Sequence, residues 1–268
     1  MYVHNLDPVI FSFHVPFTQA SLSIHWYGLV YFLGFIALYI AFRKLLKMPA
    51  RQVDSLVIWL VLGLLVGART FFFVFYRPDL FTPLQFIKIM DGGMSFHGGL
   101  LGLLLAGYVW ARINNYPFWK LADVGALVAA FFLSLGRLAN FVNAEIIGTR
   151  FDGPWCVDFS QSNPYYQGCR HPVQIYAAFK DLFIGVVLVL LWRAKRFKDG
   201  FIFWSFVLLY SVLRFLVNFL RDEPVLFWWV KTGHVLTFVL FIIASYVLWA
   251  RHRGDVTKLF KRGRGGSR

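Results

Sequence analysis

The sequence predicts an all-α integral membrane protein of about seven transmembrane helices, with a small external cap between spans four and five. Its composition, its long apolar runs and the distribution of its basic residues support this prediction. Hydrophobic residues make up 59% of the 268-residue chain and charged residues only 15%, whereas an average soluble domain carries roughly 25% charged residues. These proportions exclude a soluble globular protein, and a disordered chain would require low hydrophobicity.

Seven apolar runs are long enough to cross a bilayer, for which about 20 residues are needed. The third run is short and flanked by glycines, so we expect part of it to be re-entrant. The fifth contains Lys180 and Asp181, which predicts that its first turns lie at the membrane interface. The runs cover residues 25–42, 55–75, 95–111, 121–143, 173–192, 201–220 and 233–250.

The basic residues predict the orientation of the spans. Lys and Arg outnumber Asp and Glu by 27 to 13, and most of them follow spans one, three and five or lie in the tail. Because cytoplasmic loops are enriched in Lys and Arg, we expect the N-terminus outside and the C-terminus inside the cytoplasmic (inner) membrane. The chain is then one polytopic domain, 1–268, with an external cap at 145–172 and a basic cytoplasmic tail at 251–268. This charge suits anionic lipid headgroups, and we expect no nucleic-acid partner.

Both cysteines of the chain, Cys156 and Cys169, lie in the expected cap. Because the external side is oxidising, a disulfide is one reading, and it would contribute on the order of 3 kcal/mol. Two unpaired thiols are an equally good reading. Two cysteines without histidines at zinc-site spacing do not predict a metal site.

Three arginines lie inside predicted spans, where each costs about 2.5–3.5 kcal/mol at the centre of the bilayer. Arg69, Arg137 and Arg214 must therefore pair, face water or bind an anion. The orientation places all three in the outer halves of their spans. Other polar residues are expected at the same outer layer, at the ends of spans one, three and seven: Tyr27, His97 and His234.

Helical spacing aligns two polar stripes in this layer. Arg137 and Asn140 share one face of span four, and Arg214, Asn218 and Arg221 share one face of span six. Because the planar arginine fork binds phosphate through two hydrogen bonds, the stripes predict a phospholipid phosphate pocket. The alternative is structural pairing with acidic residues of the outer loops, of which Glu145, Asp152, Asp158, Asp222 and Glu223 are candidates.

His97 lies in the segment MDGGMSFHGGLLG, with glycines on both sides. Glycine permits close backbone approach and turns, so the histidine is expected at the mouth of a span. An unperturbed pKa of about 6.5 suits a general base near neutral pH. By itself, the histidine favours the other interpretation, an interfacial side chain that bonds a backbone carbonyl.

The segment GRLANFVNAEIIG at 136–148 closely resembles the signature of the prolipoprotein diacylglyceryl transferase family. The resemblance extends over essentially the whole chain. Further matching blocks are HWYGL at 25–29, GAR at 67–69, DGGMSFHGG at 91–99, RHPVQIY at 170–176 and LRFLVNFLR at 213–221.

The resemblance implies a transferase that moves the diacylglyceryl group of phosphatidylglycerol, or a related phospholipid, to the lipobox cysteine of a prolipoprotein. A thioether forms, glycerol phosphate leaves, and neither a metal nor a cofactor is needed. By position, His97 matches the base proposed for the thiol, Arg137 the headgroup-binding arginine and Arg214 a second essential arginine. Further substrate-binding candidates are Tyr27, Asn140, Asn143, Glu145, Gly148 and Arg221, together with the intramembrane Arg69.

Three positions depart from the family pattern. Asn218 and Ala177 stand where acidic residues are common, and His234 stands where glutamine is common, so the pocket is expected to be more cationic than usual. A catalytically silent relative that binds lipid or peptide is therefore an alternative. An anion transporter is a second alternative, but the inner halves of spans one, three and seven are almost wholly apolar.

Overall fold

The computed structural model describes residues 1–14, 21–88, 92–195 and 197–261. Asp91 of the glycine-rich motif, Arg196 and the end of the basic tail from Arg262 lie outside them. Seven helices in the described ranges are long and apolar enough to cross a membrane, which confirms the predicted fold class. The chain has two compact units, one formed by residues 1–34 and 125–268 and the other by residues 35–124.

The seven long helices match the seven predicted runs to within a few residues at most ends. The predicted re-entrant part of the third run is wrong, because this run is one uninterrupted helix. The largest differences occur where polar residues extend a helix beyond its apolar run, as at the start of the second helix. The last helix also runs further than predicted, with a kink at His252, where the backbone leaves helical geometry. The long helices are α1 (Trp26–Leu45), α2 (Ala50–Phe75), α4 (Phe96–Ile113), α5 (Phe118–Val142), α6 (Val173–Arg193), α7 (Phe201–Asn218) and α8 (Thr232–Lys261).

In the smaller unit, α2 and α4 touch backbone to backbone along a seam of glycines. Gly63 and Gly67 on α2 face Gly98 and Gly102 on α4. A Cβ added to Gly102 would lie 2.0 Å from the Gly63 carbonyl oxygen, and one added to Gly98 would lie 2.3 Å from the Gly67 carbonyl oxygen. Both pairs are spaced four residues apart, the pattern that lets membrane helices pack closely. A short helix, α3 (Pro83–Ile87), lies in the connection between the two.

In the larger unit, helices α5 to α8 share an apolar core. This core consists of buried side chains from all four helices, so each helix is held by contacts with residues that are distant in the sequence. The fully buried residues at its centre are Ala130, Ile184 and Leu188, with Leu127, Phe201, Ile202 and Leu248 around them.

The segment between α5 and α6, predicted as the cap, has a small core and sheet of its own. Strand β4 (Val157–Asp158) pairs with the N-terminal β1 (Tyr2–Val3) and with β5 (Cys169–Arg170). Cys156 and Cys169 form a disulfide across this sheet, which decides between the two readings of the cysteines. A second apolar cluster, Ala144, Ile147, Val157 and Phe159, lies beneath it.

Two hairpins were not predicted from the sequence. One joins β2 (Val9–His14) to β3 (Ser21–His25), and the other joins β6 (Val225–Phe227) to β7 (Val230–Lys231). The second is fastened by the buried Lys231, whose ammonium donates to the backbone carbonyls of Asn218, Phe219 and Arg221. The pairs of short strands are easily missed beside the long apolar runs, which dominate the hydrophobic pattern of this sequence.

Candidate active site

Arg137 lies in the last turns of α5, and its side chain is 13% exposed. Its Nη1 donates a hydrogen bond of 3.2 Å to Oδ1 of Asn140. Its Nε lies 3.8 Å from Oδ2 of Asp181, which is longer than a hydrogen bond. The guanidinium also interacts electrostatically with Tyr27 and Tyr210. Arg137 therefore lies beside Asn140, as the helical spacing predicted, and near enough to Tyr27 for an electrostatic interaction.

Glu145 lies just beyond the end of α5, and two asparagine side chains hold its carboxylate. Nδ2 of Asn140 donates to Oε2 at 3.1 Å, and Nδ2 of Asn143 donates to Oε1 at 3.4 Å. The buried Gln174 of α6 fixes the backbone carbonyl of Glu145 with a hydrogen bond of 2.6 Å. The carboxylate is exposed, so it is oriented by the protein and still open to water or substrate.

The backbone on both sides of Glu145 is strained. Ala144 has φ +50° and Ile146 has φ +56°, in the left-handed region that residues with a Cβ rarely adopt. Each such residue costs on the order of 1–3 kcal/mol, and strain of this kind clusters at functional sites. The fully buried side chain of Ile147 holds this strained turn in place.

Arg214 and Arg221 bring further positive charge to Arg137. Arg214 is half-buried in α7, and within the described ranges no carboxylate forms an ion pair with it. Arg221 follows the end of α7, and its Nη1 lies 2.6 Å from Oε1 of Glu223. Burial, with repulsion from Arg214 and Arg137, lowers the pKa of Arg221 to about 10. This repulsion is what an anion bound between the arginines would relieve.

Gly148 positions Arg221 through the backbone. The two residues form an antiparallel β-bridge, and the carbonyl of Gly148 accepts a hydrogen bond from the buried Arg170, which also pairs with Asp222. A Cβ on Gly148 would lie 2.4 Å from the carbonyl oxygen of His171. Glycine is therefore required for the close approach that brings the arginine to the site.

Lys180 and Asp181, which the sequence predicts at the membrane interface, lie beside Arg137 in this site. Both are buried in α6, and the ammonium of Lys180 is ion-paired with Asp181. Its Nζ also lies 4.1 Å from the centre of the Tyr210 ring on α7. An adjacent Lys–Asp pair inside an apolar run was the available signal, since such residues usually pair and face a functional cavity. Nothing in the sequence indicated a role for Tyr210 except its position four residues before Arg214.

His97 belongs to the smaller unit, at the first turn of α4. Ser95 caps this helix by accepting a hydrogen bond from the backbone nitrogen of Gly98, and Gly98 packs on α2. The ring of His97 is exposed, with Phe71 and Phe96 as its aromatic neighbours. Among the described residues, no hydrogen-bond partner occupies its nitrogens, so both are accessible to a substrate.

Arg69 has a different role from the one expected, because its donors are already used. Its guanidinium has five N–H groups, and it makes five hydrogen bonds to backbone carbonyls of the loop between α2 and α4. The side chain is 3% exposed and lies over the ring of Phe73. Arg69 therefore holds the loop and has no donor left for a lipid. The carbonyls belong to Gln85, Phe86, Lys88, Gly92 and Gly93.

The three departures from the family pattern are all buried. Asn218 is fully buried, and neither atom of its carboxamide has a hydrogen-bond partner among the described residues. His234 is 2% exposed; its Nδ1 accepts a hydrogen bond from the backbone nitrogen of Lys231. Ala177 is packed in α6. Asn218 and Ala177 therefore place no carboxylate at their buried positions.

Comparison with known proteins shows which proteins this chain resembles. A family model described as prolipoprotein diacylglyceryl transferase matches residues 14–250. A phosphatidylglycerol–prolipoprotein diacylglyceryl transferase of Solidesulfovibrio magneticus is 36% identical over 265 residues, covering 94% of this chain and 97% of the relative. Proteins of the same name from Brucella anthropi and Brucella ovis are 34% identical, over 93% and 92% of this chain and of their own lengths.

Proposed function

The chain belongs to the prolipoprotein diacylglyceryl transferase family, and from that premise we propose how its residues perform the transfer. The enzyme moves the diacylglyceryl group of phosphatidylglycerol to a prolipoprotein. The acceptor is the thiol of the lipobox cysteine. The bond between sulfur and the glyceryl carbon forms as the bond between that carbon and the phosphate oxygen breaks. The products are a thioether-linked lipoprotein and glycerol phosphate.

His97 takes the thiol proton. A cysteine thiol has a pKa of about 8.5 and reacts as the thiolate, so a base increases the reactive fraction near neutral pH. The exposure of the His97 ring and the glycine seam that holds α4 beneath it support this role. The directions of the spans predicted from the sequence assign His97 and Arg137 to the same side of the membrane.

The arginine cluster holds the phosphate. The observation that supports this most strongly is that Arg214 and Arg137 both lie near enough to Arg221 to repel it, while among the described residues Arg221 alone of the three has an ion pair shorter than 3 Å. The leaving phosphate gains negative charge as the carbon–oxygen bond breaks, and preorganised cations stabilise that charge. The site also includes Asn140, Asn143 and Glu145, which orient Arg137 and the glycerol hydroxyls of the headgroup. Tyr27 positions the Arg137 side of the site, and Gly148 positions the Arg221 side through its β-bridge.

We place the enzyme in the cytoplasmic membrane, with its N-terminus outside and its site towards the outer leaflet. The distribution of basic residues supports this orientation. The two acyl chains then stay in the bilayer while the headgroup enters the cluster. The disulfide between Cys156 and Cys169 agrees with an oxidising external side.

The test is a transfer assay with purified protein, phosphatidylglycerol and a lipobox peptide. Mass spectrometry of the peptide and detection of released glycerol phosphate report the two products. We expect His97→Gln and Arg137→Ala to abolish both products while membrane insertion and melting stay near normal. Equal turnover in Arg137→Ala would contradict the phosphate assignment, and equal turnover in His97→Gln the assignment of the base.

A silent binding relative is the alternative that this assay also decides. It predicts phosphatidylglycerol binding without a thioether product in the unmodified protein. The family relationship and the presence of His97, Arg137 and Arg214 do not favour it.

A further inference from the structure

Lys180 is a buried cation for which the proposed reaction has so far no use. Its side chain is 5% exposed, and its ammonium interacts with Asp181, the ring of Tyr210 and Arg137. Burial removes the hydration of a lysine ammonium, which is unfavourable unless a partner compensates for it. The carboxylate of Asp181 compensates for this loss through its ion pair with the ammonium.

Asp181 is shared unequally between two cations. Its Oδ1 is in close contact with the ammonium of Lys180, whereas its Oδ2 lies 3.8 Å from Nε of Arg137. Neither that Oδ2 nor that Nε makes a hydrogen bond with a described residue. Without Lys180, the carboxylate would be free to close on Arg137 and neutralise it. Lys180 thus keeps the guanidinium of Arg137 available.

The cluster also has more positive than negative charges. Arg137, Arg214, Arg221 and Lys180 interact with one another directly or through Tyr210. Among the described carboxylates of the site, Asp181 and Glu223 are the ones that are not exposed. Glu145 also belongs to the site, but its carboxylate is exposed, so water screens its charge and we leave it out of the balance. The surplus is therefore two positive charges in a partly desolvated site.

This surplus fits the product better than the substrate. The phosphodiester of phosphatidylglycerol has one negative charge. The phosphomonoester that leaves has a second ionisation near pH 6 and so approaches two charges at neutral pH. An enzyme gains rate from interactions that are stronger in the transition state than in the bound substrate.

We propose that Lys180 is a positioning residue that occupies Asp181, leaves Arg137 free for the phosphate and tunes the cluster to a dianionic leaving group. This inference rests on the proposed function, because it assumes that the cluster binds the phosphate. It adds to that function a residue and a charge preference for phosphomonoesters over phosphodiesters.

Kinetics of Lys180→Met test the first part. We expect kcat to fall on the order of tenfold, a smaller loss than the hundredfold or more typical of a direct transition-state donor. We expect KM for phosphatidylglycerol to rise by no more than the same factor. Lys180→Arg should restore kcat to within about threefold, since it retains the charge. Lys258→Met, which removes an ion-paired lysine near the end of α8, is the matched control and should leave both constants unchanged.

Binding of water-soluble headgroup fragments tests the second part. Glycerol phosphate and the diester glycerophosphoglycerol are titrated against the purified protein at pH 8. The unmodified enzyme should prefer the monoester, and Lys180→Met should reduce that preference severalfold. Unchanged preference and unchanged kcat in Lys180→Met, with binding lost in Arg137→Ala, would overturn the role of Lys180 alone. Binding that survives in Arg137→Ala would instead overturn the proposed phosphate site.

A double variant covers the case in which Lys180→Met does not fold. Lys180→Met with Asp181→Asn removes one charge of each sign, so no unpaired carboxylate is buried and the surplus stays the same. The double variant should keep the monoester preference that the single variant loses. Loss of the preference in a folded double variant would show that it does not depend on the charge balance and would overturn the proposal.

Discussion

Asn140 accepts a hydrogen bond of 3.2 Å from Nη1 of Arg137 through its carboxamide oxygen. Through its nitrogen it donates one of 3.1 Å to Glu145. Asn140 is 3% exposed and lies three residues from Arg137, on the same face of α5. The orientation of the arginine fork is therefore set by a buried side chain before any phosphate arrives, which lowers the entropy lost on binding.

Arg137→Lys should lose most of the activity although it keeps the charge. Lysine is a point charge without a planar fork, so it cannot bind Asn140 and two phosphate oxygens at once. We expect kcat/KM in the transfer assay to fall about 100-fold, equivalent to roughly 2.7 kcal/mol. The control is Arg51→Lys, at an exposed arginine near the start of α2, which should turn over normally. Turnover near that of the control would show that charge alone is sufficient.

Arg69→Lys should reduce stability before it affects lipid binding. Lysine has three donors where Arg69 uses five, so it leaves loop carbonyls unpaired inside the smaller unit. We expect the free energy of unfolding to fall by about 2 kcal/mol or more, seen as a lower melting temperature in detergent. Arg77→Lys, at an exposed ion pair with Asp79, should melt almost as the unmodified protein does. If Arg69→Lys melted normally but lost phosphatidylglycerol binding, Arg69 would be a substrate-binding residue after all.

Gly102→Ala should separate α2 from α4. Its Cβ would lie 2.0 Å from the backbone oxygen of Gly63, a contact that no side-chain movement relieves. We expect a loss of about 1–3 kcal/mol and lower transfer activity, because α4 positions His97. Gly125→Ala is the matched control, since nothing lies within 4 Å of its Cβ and alanine is the better helix former by up to about 1 kcal/mol. Equal melting of the two variants would be inconsistent with a seam that requires glycine.

Acidification should loosen the N-terminal strand. His4 is fully buried between the rings of Phe141 and Phe159, with Nδ1 2.7 Å from Oγ of Ser162. Burial lowers the pKa of His4 below its ordinary value of 6.5. The unfolded segment therefore takes up a proton near pH 6.5 that the folded one does not. Stability is complete above that pH and declines as the pH falls below it.

Hydrogen exchange of residues 1–14 at pH 7.5 and pH 5.5 measures this effect, after correction for the intrinsic exchange rate. Protection should be lower at the acid pH. His4→Phe keeps an aromatic ring and removes the titration, so its protection should change less. His171, whose pKa burial also lowers, contributes in the same direction and is present in both proteins. An equal change in the two proteins would exclude His4 as the source.

The spans and half of the site were predictable because their signals are local. An apolar run of sufficient length crosses a membrane whichever helices it packs against. Arg137 and Asn140 share a face because an α-helix repeats every 3.6 residues. The motif at 136–148 placed Glu145 and Gly148 beside them. The strain at Ala144 and Ile146 was not predictable, because left-handed backbone at residues other than glycine contradicts local preference and requires surrounding contacts to hold it.

By itself, the sequence determined the membrane class, the seven spans and the family, since composition, run length and motif spacing are properties of the chain alone. Only the tertiary structure decided which intramembrane arginine is available to a ligand. Arg69 is saturated by carbonyls 16 to 24 residues away, whereas Arg137 meets an Asp181 already occupied by Lys180. The same residue type has opposite uses at the two positions, because the fate of a buried charge depends on partners that folding, and not sequence proximity, brings to it.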